Sequence, residues 1–236
     1  MRTIWFFILV LAVLLADSLA YHQTQFSIFG FQLDWGQLNW KLEQWRESRS
    51  FFRQTLAYFD WFKFIFWFLL PGAIFYRYFW KLNRSITAAD LKTLLIGVFI
   101  SSLIVASISI IPSLSEYYQT VGAATLETRF AYVSAQLAWT ISWLLGYELM
   151  LRAGLPSAIR CFFDLDKTKI ILFALSIGFL DSFYHVIQLK DPVESIGIGI
   201  FGFWGASWVL KGRSVWVPIL IHASIEFFFI MYLGFF

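Results

Sequence analysis

Apolar residues along this chain fall in long runs that neither alternate in polarity nor recur as an amphipathic stripe. A helix that crosses a bilayer needs about 20 predominantly apolar residues, fewer when polar groups face a bundle interior. Seven runs approach that length: residues 4–19, 62–80, 91–111, 130–151, 170–187, 196–210 and 215–236. In lipid each backbone polar group must be satisfied within its own segment, so runs of this kind predict helices. The pattern therefore predicts an all-α, polytopic transmembrane bundle of about seven spans. It becomes six if the first run is removed as a signal, because Arg2, the apolar run and Ser18-Leu19-Ala20 read equally as a cleaved secretory signal or a retained helix.

Positive charge in the short connections sets direction. Arg77, Lys81, Arg84 and Lys92 lie between the second and third runs, Arg160, Lys167 and Lys169 between the fourth and fifth, and Lys211 and Arg213 between the last two. The alternate connections are nearly free of it, with none in 112–128 and only Lys190 in 188–195. Lys and Arg concentrate on the cytoplasmic side, so the N-terminus is expected inside and the C-terminus outside, in the cell (inner) membrane. Residues 21–60 form the one long polar and aromatic stretch. There Trp35, Trp40 and Trp45 alternate with Lys41, Arg46, Arg49 and Arg53, and Leu38, Leu42 and Trp45 recur at helical spacing. They predict an amphipathic segment lying in the membrane interface. The division is then a first helix or signal (1–20), an interfacial segment (21–60) and a membrane domain (61–236).

Composition agrees with that division. Of 236 residues 59% are hydrophobic and 14% charged, against about 45–50% and 25% in soluble domains. The net charge of +3 resides largely in the connections, where it orients the chain in the bilayer, so no nucleic-acid partner is expected. The single cysteine, Cys161, excludes an internal disulfide and a cysteine-rich metal site.

Ionisable residues inside spans are costly and mark functional sites. Three of the last four runs carry them four residues apart: Glu148 and Arg152, Asp181 and His185, His222 and Glu226. Residues at i and i+4 share a helix face, so each run offers one polar stripe, and the economical expectation points all three at one cavity. The remaining run, 196–210, carries Gly197, Gly199, Gly202 and Gly205, which suit close helix packing.

The stretch 147–156, reading YELMLRAGLP, resembles the glutamate-glutamate-x-x-x-arginine motif of the CPBP family of intramembrane proteases, a family that includes CAAX prenyl endopeptidases and bacteriocin-processing or self-immunity proteins. His185 stands where the family's phenylalanine-x-x-x-histidine motif has its histidine, and Trp216 to Glu226 resembles the third motif, histidine-x-x-x-asparagine. The resemblance covers about 142–229 and rests on the order and spacing of all three motifs. It departs at three places: Tyr147 replaces the first glutamate, Asp181 the phenylalanine and Glu226 the asparagine.

The resemblance implies an endopeptidase that activates a water against a peptide bond of a membrane-associated peptide or protein, such as a prenylated tail, a leader or a sorting tail. Glu148, His185, His222 and Glu226 are its candidate catalytic residues, with Arg152, Asp181 and Tyr147 in support. In the family the first glutamate and the second-motif histidine activate the water, the third motif stabilises the oxyanion, and the second glutamate holds the arginine. On that map Glu148 partners Arg152 and the expected base is missing; Asp181 and Glu226, each on a histidine-bearing stripe, are the candidates for a relocated base. His185 and His222 are also the candidate ligands for a divalent metal such as zinc, which would acidify a bound water. Three other readings compete: a non-catalytic scaffold or immunity-type binding protein that lost its base at Tyr147, a proton-coupled transporter, and a rhomboid-like protease using Ser207 with His222.

Overall fold

A computed structural model describes residues 2–21, 25–28, 31–34, 59–60, 63–75, 85–110, 126–189 and 192–235. The helices are α1 (Arg2–Tyr21), α2 (Leu70–Ile74), α3 (Ala88–Ile110), α4 (Leu126–Tyr147), α5 (Leu155–Phe162), α6 (Lys167–Leu189), α7 (Pro192–Leu210) and α8 (Trp216–Phe235). Two π-helical segments interrupt this order, Phe64–Leu69 ahead of α2 and Glu148–Gly154 between α4 and α5. Two short strands, β1 (Gln25–Ile28) and β2 (Phe31–Asp34), pair antiparallel. This hairpin occupies the start of the stretch expected to lie in the membrane interface. The tryptophan-rich positions 35–58 fall outside the described residues.

Three helical stretches are long and apolar enough to cross a membrane: Ala88–Ser107, Lys167–Val186 and Trp216–Leu233. Ile4–Asp17, Phe64–Ile74 and Ser195–Leu210 are apolar but shorter. α4 falls in neither group, because Glu127 and Arg129 open it and Ser134, Gln136, Thr140 and Ser142 lower its hydropathy.

The chain divides into two compact units. The first comprises Met1–Trp40, Trp61–Ser85 and Leu145–Val215. Its largest contact is α6 against α7, and glycines permit it. A Cβ at Gly178 would lie 2.6 Å from the Gly199 carbonyl oxygen, and one at Gly199 would lie 2.6 Å from Ser182 Cβ. These two backbones thus touch directly, as small residues allow in membrane helices. α7 ends at Gly212, whose φ of 80° an L side chain rarely adopts. Arg213 N–H donates to the Trp208 carbonyl and Gly212 N–H to that of Val209, the paired bonds of a Schellman cap. α6 starts on Asp166, which accepts from Lys169 N–H at 2.8 Å. That bond holds the Asp166 carboxyl below its usual range.

The second unit comprises Lys41–Asp60, Ile86–Leu144 and Trp216–Phe236. α3 opens with a capping box in which Thr87 N–H donates to Asp90 Oδ2 at 2.9 Å and Asp90 N–H to Thr87 Oγ1 at 3.2 Å. α3 packs on α8, where a Cβ at Gly97 would stand 2.6 Å from Ile221 Cγ1. The outer face of α3 exposes Leu91, Leu95, Ile96, Phe99, Ile100, Leu103 and Ile104, an apolar stripe suited to lipid.

Candidate functional site

Tyr147 ends α4, and the chain then widens into the π-helical turn Glu148–Gly154 before α5 resumes at Leu155. π-turns inside helices are rare and frequent at functional sites. The expected fourth span, 130–151, is therefore not one regular α-helix. Every residue of the π-segment is buried. Gly146, just ahead of it, lets the helix approach Trp67, whose backbone carbon would lie 2.8 Å from a Cβ at 146.

Arg152 is the centre of charge. Its guanidinium pairs with Glu148 one turn back and, at 2.5 Å, with Asp181 Oδ2 on α6. The ring of Phe201 lies below it, 4.6 Å from centroid to guanidinium carbon. Glu148 and Asp181 are 0% exposed and Arg152 1%, so all three charges are out of solvent. Tyr147 donates its hydroxyl to Asp181 Oδ1. The two departures from the motif pattern at 147 and 181 are thus in contact, as one hydrogen-bonded pair. Asp181 fits because α7 presents Gly202 to it; a Cβ at 202 would overlap Asp181 Oδ2.

Asp181 also bears on His185. His185 Nδ1 lies 2.8 Å from the Asp181 main-chain oxygen and 3.4 Å from Asp181 Oδ1. A carbonyl oxygen only accepts, so Nδ1 is the donor of this bond and Nε2 is the ring's other nitrogen. The imidazole meets Tyr184 and Tyr147 edge-on at centroid distances of 5.1 and 5.8 Å. Its side chain retains 15% exposure while the Tyr147, Arg152 and Asp181 residues around it retain 0–1%.

Simple counting along the fifth run sets His185 sixteen residues past Lys169, toward the outer side and away from Glu148. The structure brings the two levels together. From Arg152 the chain continues helically to Phe162, about 15 Å at ~1.5 Å per residue, before α6 returns over about 21 Å from Lys167 to Asp181. The descent through α5 is what levels Asp181 with Arg152.

The first unit thus gathers Tyr147, Glu148, Arg152, Asp181 and His185. His222 and Glu226 belong to the second unit, where His222 Nε2 lies 3.6 Å from Glu226 Oε1 and the ring meets Trp143 edge-on at 5.9 Å. Their side chains are 13% and 25% exposed. Among the described residues, no group of three or more His, Cys, Asp or Glu side chains is placed to hold a metal ion. Ser207 is half-buried on α7, and Cys161 is exposed at the end of α5.

Sequence reasoning missed four contributors. Asp17 on α1 is 3% exposed, accepts from the Tyr184 hydroxyl and lies 3.4 Å from Lys63 Nζ. Lys63 in turn sits 5.2 Å over the ring of Trp67, which stacks on Tyr147 at 5.1 Å. Asp17 was legible as an acid inside an apolar run. Lys63, Trp67 and Tyr184 carry no such mark. Compared with family models, with curated proteins and with solved structures, the chain matches none.

Proposed function

We propose that this chain is an intramembrane endopeptidase of CPBP type, embedded as a bundle of about seven spans with its N-terminus inside, acting on a membrane-associated peptide or protein. The observation that carries the reading is the placement of His185. Its Nδ1 lies 2.8 Å from the Asp181 main-chain oxygen and 3.4 Å from Asp181 Oδ1, on a side chain that keeps partial exposure beside a fully buried ion cluster. An imidazole oriented through one nitrogen by a carboxylate-bearing residue is a suitable general base through the other.

The chemistry follows from that ring. Nε2 takes a proton from water as the water oxygen bonds to the scissile carbonyl carbon. The tetrahedral oxyanion then collapses, the C–N bond breaks, and the proton passes from Nε2 to the departing amine. Asp181 orients the imidazole and offsets its charge while protonated, and Arg152 holds Asp181 in place through the 2.5 Å pair. Glu148, buried against Arg152, is a structural partner of the arginine, as the resemblance implies. For the third motif, on the second unit, the resemblance implies an oxyanion-stabilising role for His222; Glu226 lacks the donor that asparagine would supply there.

The test is cleavage by full-length protein in nanodiscs of a panel spanning prenylated tails, leader peptides and sorting tails. His185→Gln and Asp181→Asn are expected to lower kcat by about 10²–10⁴-fold, the usual worth of a positioned base. His222→Ala is expected to lower it as well. Full activity in His185→Gln would sink the proposal.

A second reading has its own observation. Glu148 and Asp181, two buried carboxylates of the first unit, are both held by Arg152, and a tyrosine stands where the family has its first glutamate. This favours a non-catalytic member, a membrane scaffold or immunity-type binder. A wild type inert on the whole panel would select it.

A further inference from the structure

The imidazole of His185 is walled by two tyrosines, and each tyrosine is held by its own carboxylate. Tyr147 donates to Asp181 from the neighbouring helix. Tyr184 donates to Asp17, 167 residues earlier on α1. Asp17 is buried, with Lys63 Nζ 3.4 Å away to balance its charge. Lys63 reaches on to Trp67, and Trp67 stacks on Tyr147, so the two clamps meet through one indole. The Trp67 ring also lies 6.0 Å from that of Tyr184.

We infer that Asp17 is a positioning residue for His185, acting through Tyr184, and that α1 is thereby a working part of the site. The inference rests on the reading of His185 as the base. Its physical basis is directional. A carboxylate that accepts from the Tyr184 hydroxyl fixes where the phenol ring lies, and that ring meets the imidazole edge-on at 85° and 5.1 Å. Edge-on contact with an aromatic neighbour restrains rotation of the imidazole, and hence the direction in which Nε2 points. The Lys63 ammonium, 3.4 Å from Asp17 Oδ1, sets a counter-charge beside that buried carboxylate and so helps to fix its position.

α1 has further ties in the same unit. Phe6 is 0% exposed, meets Phe75 edge-on at 5.1 Å, and would be 2.7 Å from a Cβ at Gly154, at the end of the π-segment that carries Arg152. Residues toward both ends of α1 thus pack against the first unit's site segments. Cleavage near Ser18-Leu19-Ala20 would remove Asp17 and Phe6 together.

The experiment uses full-length protein with 15N-labelled histidine in nanodiscs. The chain has three histidines, His22, His185 and His222, and their ring signals are assigned with His185→Gln and His222→Gln. Asp17→Ala and Tyr184→Phe are expected to move the His185 ring signals and leave those of His222 in place, with Asp17→Glu restoring them. Tyr184→Phe keeps the ring and removes only the hydroxyl, so it carries the test if Asp17→Ala does not accumulate. Both variants should also lower kcat about tenfold at unchanged KM, the scale of losing an outer-shell partner. Unmoved His185 signals in a folded Tyr184→Phe protein would overturn the inference, as would an intact mass showing that Asp17 is absent from the mature chain. A wild type without peptidase activity would sink the peptidase reading alone, since the ring signals decide the positioning role either way.

Discussion

At the scale of single residues, Arg152 joins two buried acids. It compensates two buried carboxylates, Glu148 behind it and Asp181 across from it, with no solvent to share the task. Removing one partner of a buried pair costs about 3–5 kcal/mol, because the other charge stays desolvated. Arg152→Ala strands two, so it should unfold at markedly lower temperature in detergent, or fail to accumulate. Arg152→Lys keeps the charge but loses the planar fork that serves both acids, and should fall between the two. Normal melting of Arg152→Ala would mean that the cluster contributes little. Half of this arrangement was legible in the sequence. The Glu148–Arg152 pair follows from i, i+4 spacing, whereas the bonds from Asp181 to Tyr147 and Arg152 join residues 34 and 29 positions apart, which no local periodicity encodes.

At the scale of elements, α6 and α7 show what glycine count alone leaves out. Four glycines on α7 read alike as packing residues, yet they differ sharply in surroundings. Gly199 and Gly202 meet α6 at distances that exclude a Cβ, while a Cβ at Gly197 would meet nothing within 4 Å. Gly202→Ala is expected to push Asp181 off Arg152 and Tyr147 and to cost about 1–3 kcal/mol, the usual penalty for overpacking. Gly197→Ala, which adds a methyl into open space within a helix, should instead stabilise by about 0.5–1 kcal/mol. Thermal melts of the two variants side by side check both; equal shifts would contradict the α6–α7 geometry. The π-turns were invisible beforehand for a related reason. A shift from i→i+4 to i→i+5 bonding changes the ladder without changing the polarity pattern from which spans are read.

At the scale of the whole molecule, the membrane character was legible because it is a bulk property, and three helices have the length and apolarity to cross a bilayer. The meaning of the altered motifs was not, because it depends on which substituted residues touch. Tyr147 and Asp181 touch, and this sets the outcome of restoring the family pattern. Tyr147→Glu alone would put a second carboxylate against Asp181 in a buried site whose one arginine already serves Glu148 and Asp181. Like charges at that range disfavour ionisation, so one acid should stay protonated and the fold should weaken. The double variant Tyr147→Glu with Asp181→Phe returns the acid count to that of the wild type and should recover stability. It also moves the second buried carboxylate from α6 to the end of α4. If the relocated arrangement in the native chain is functional, wild type and double variant should both cleave, the single variant poorly, and His185→Gln should silence each of them. An inert wild type beside an active double variant would instead identify the native protein as a scaffold whose Tyr147–Asp181 bond fills the place of a lost base.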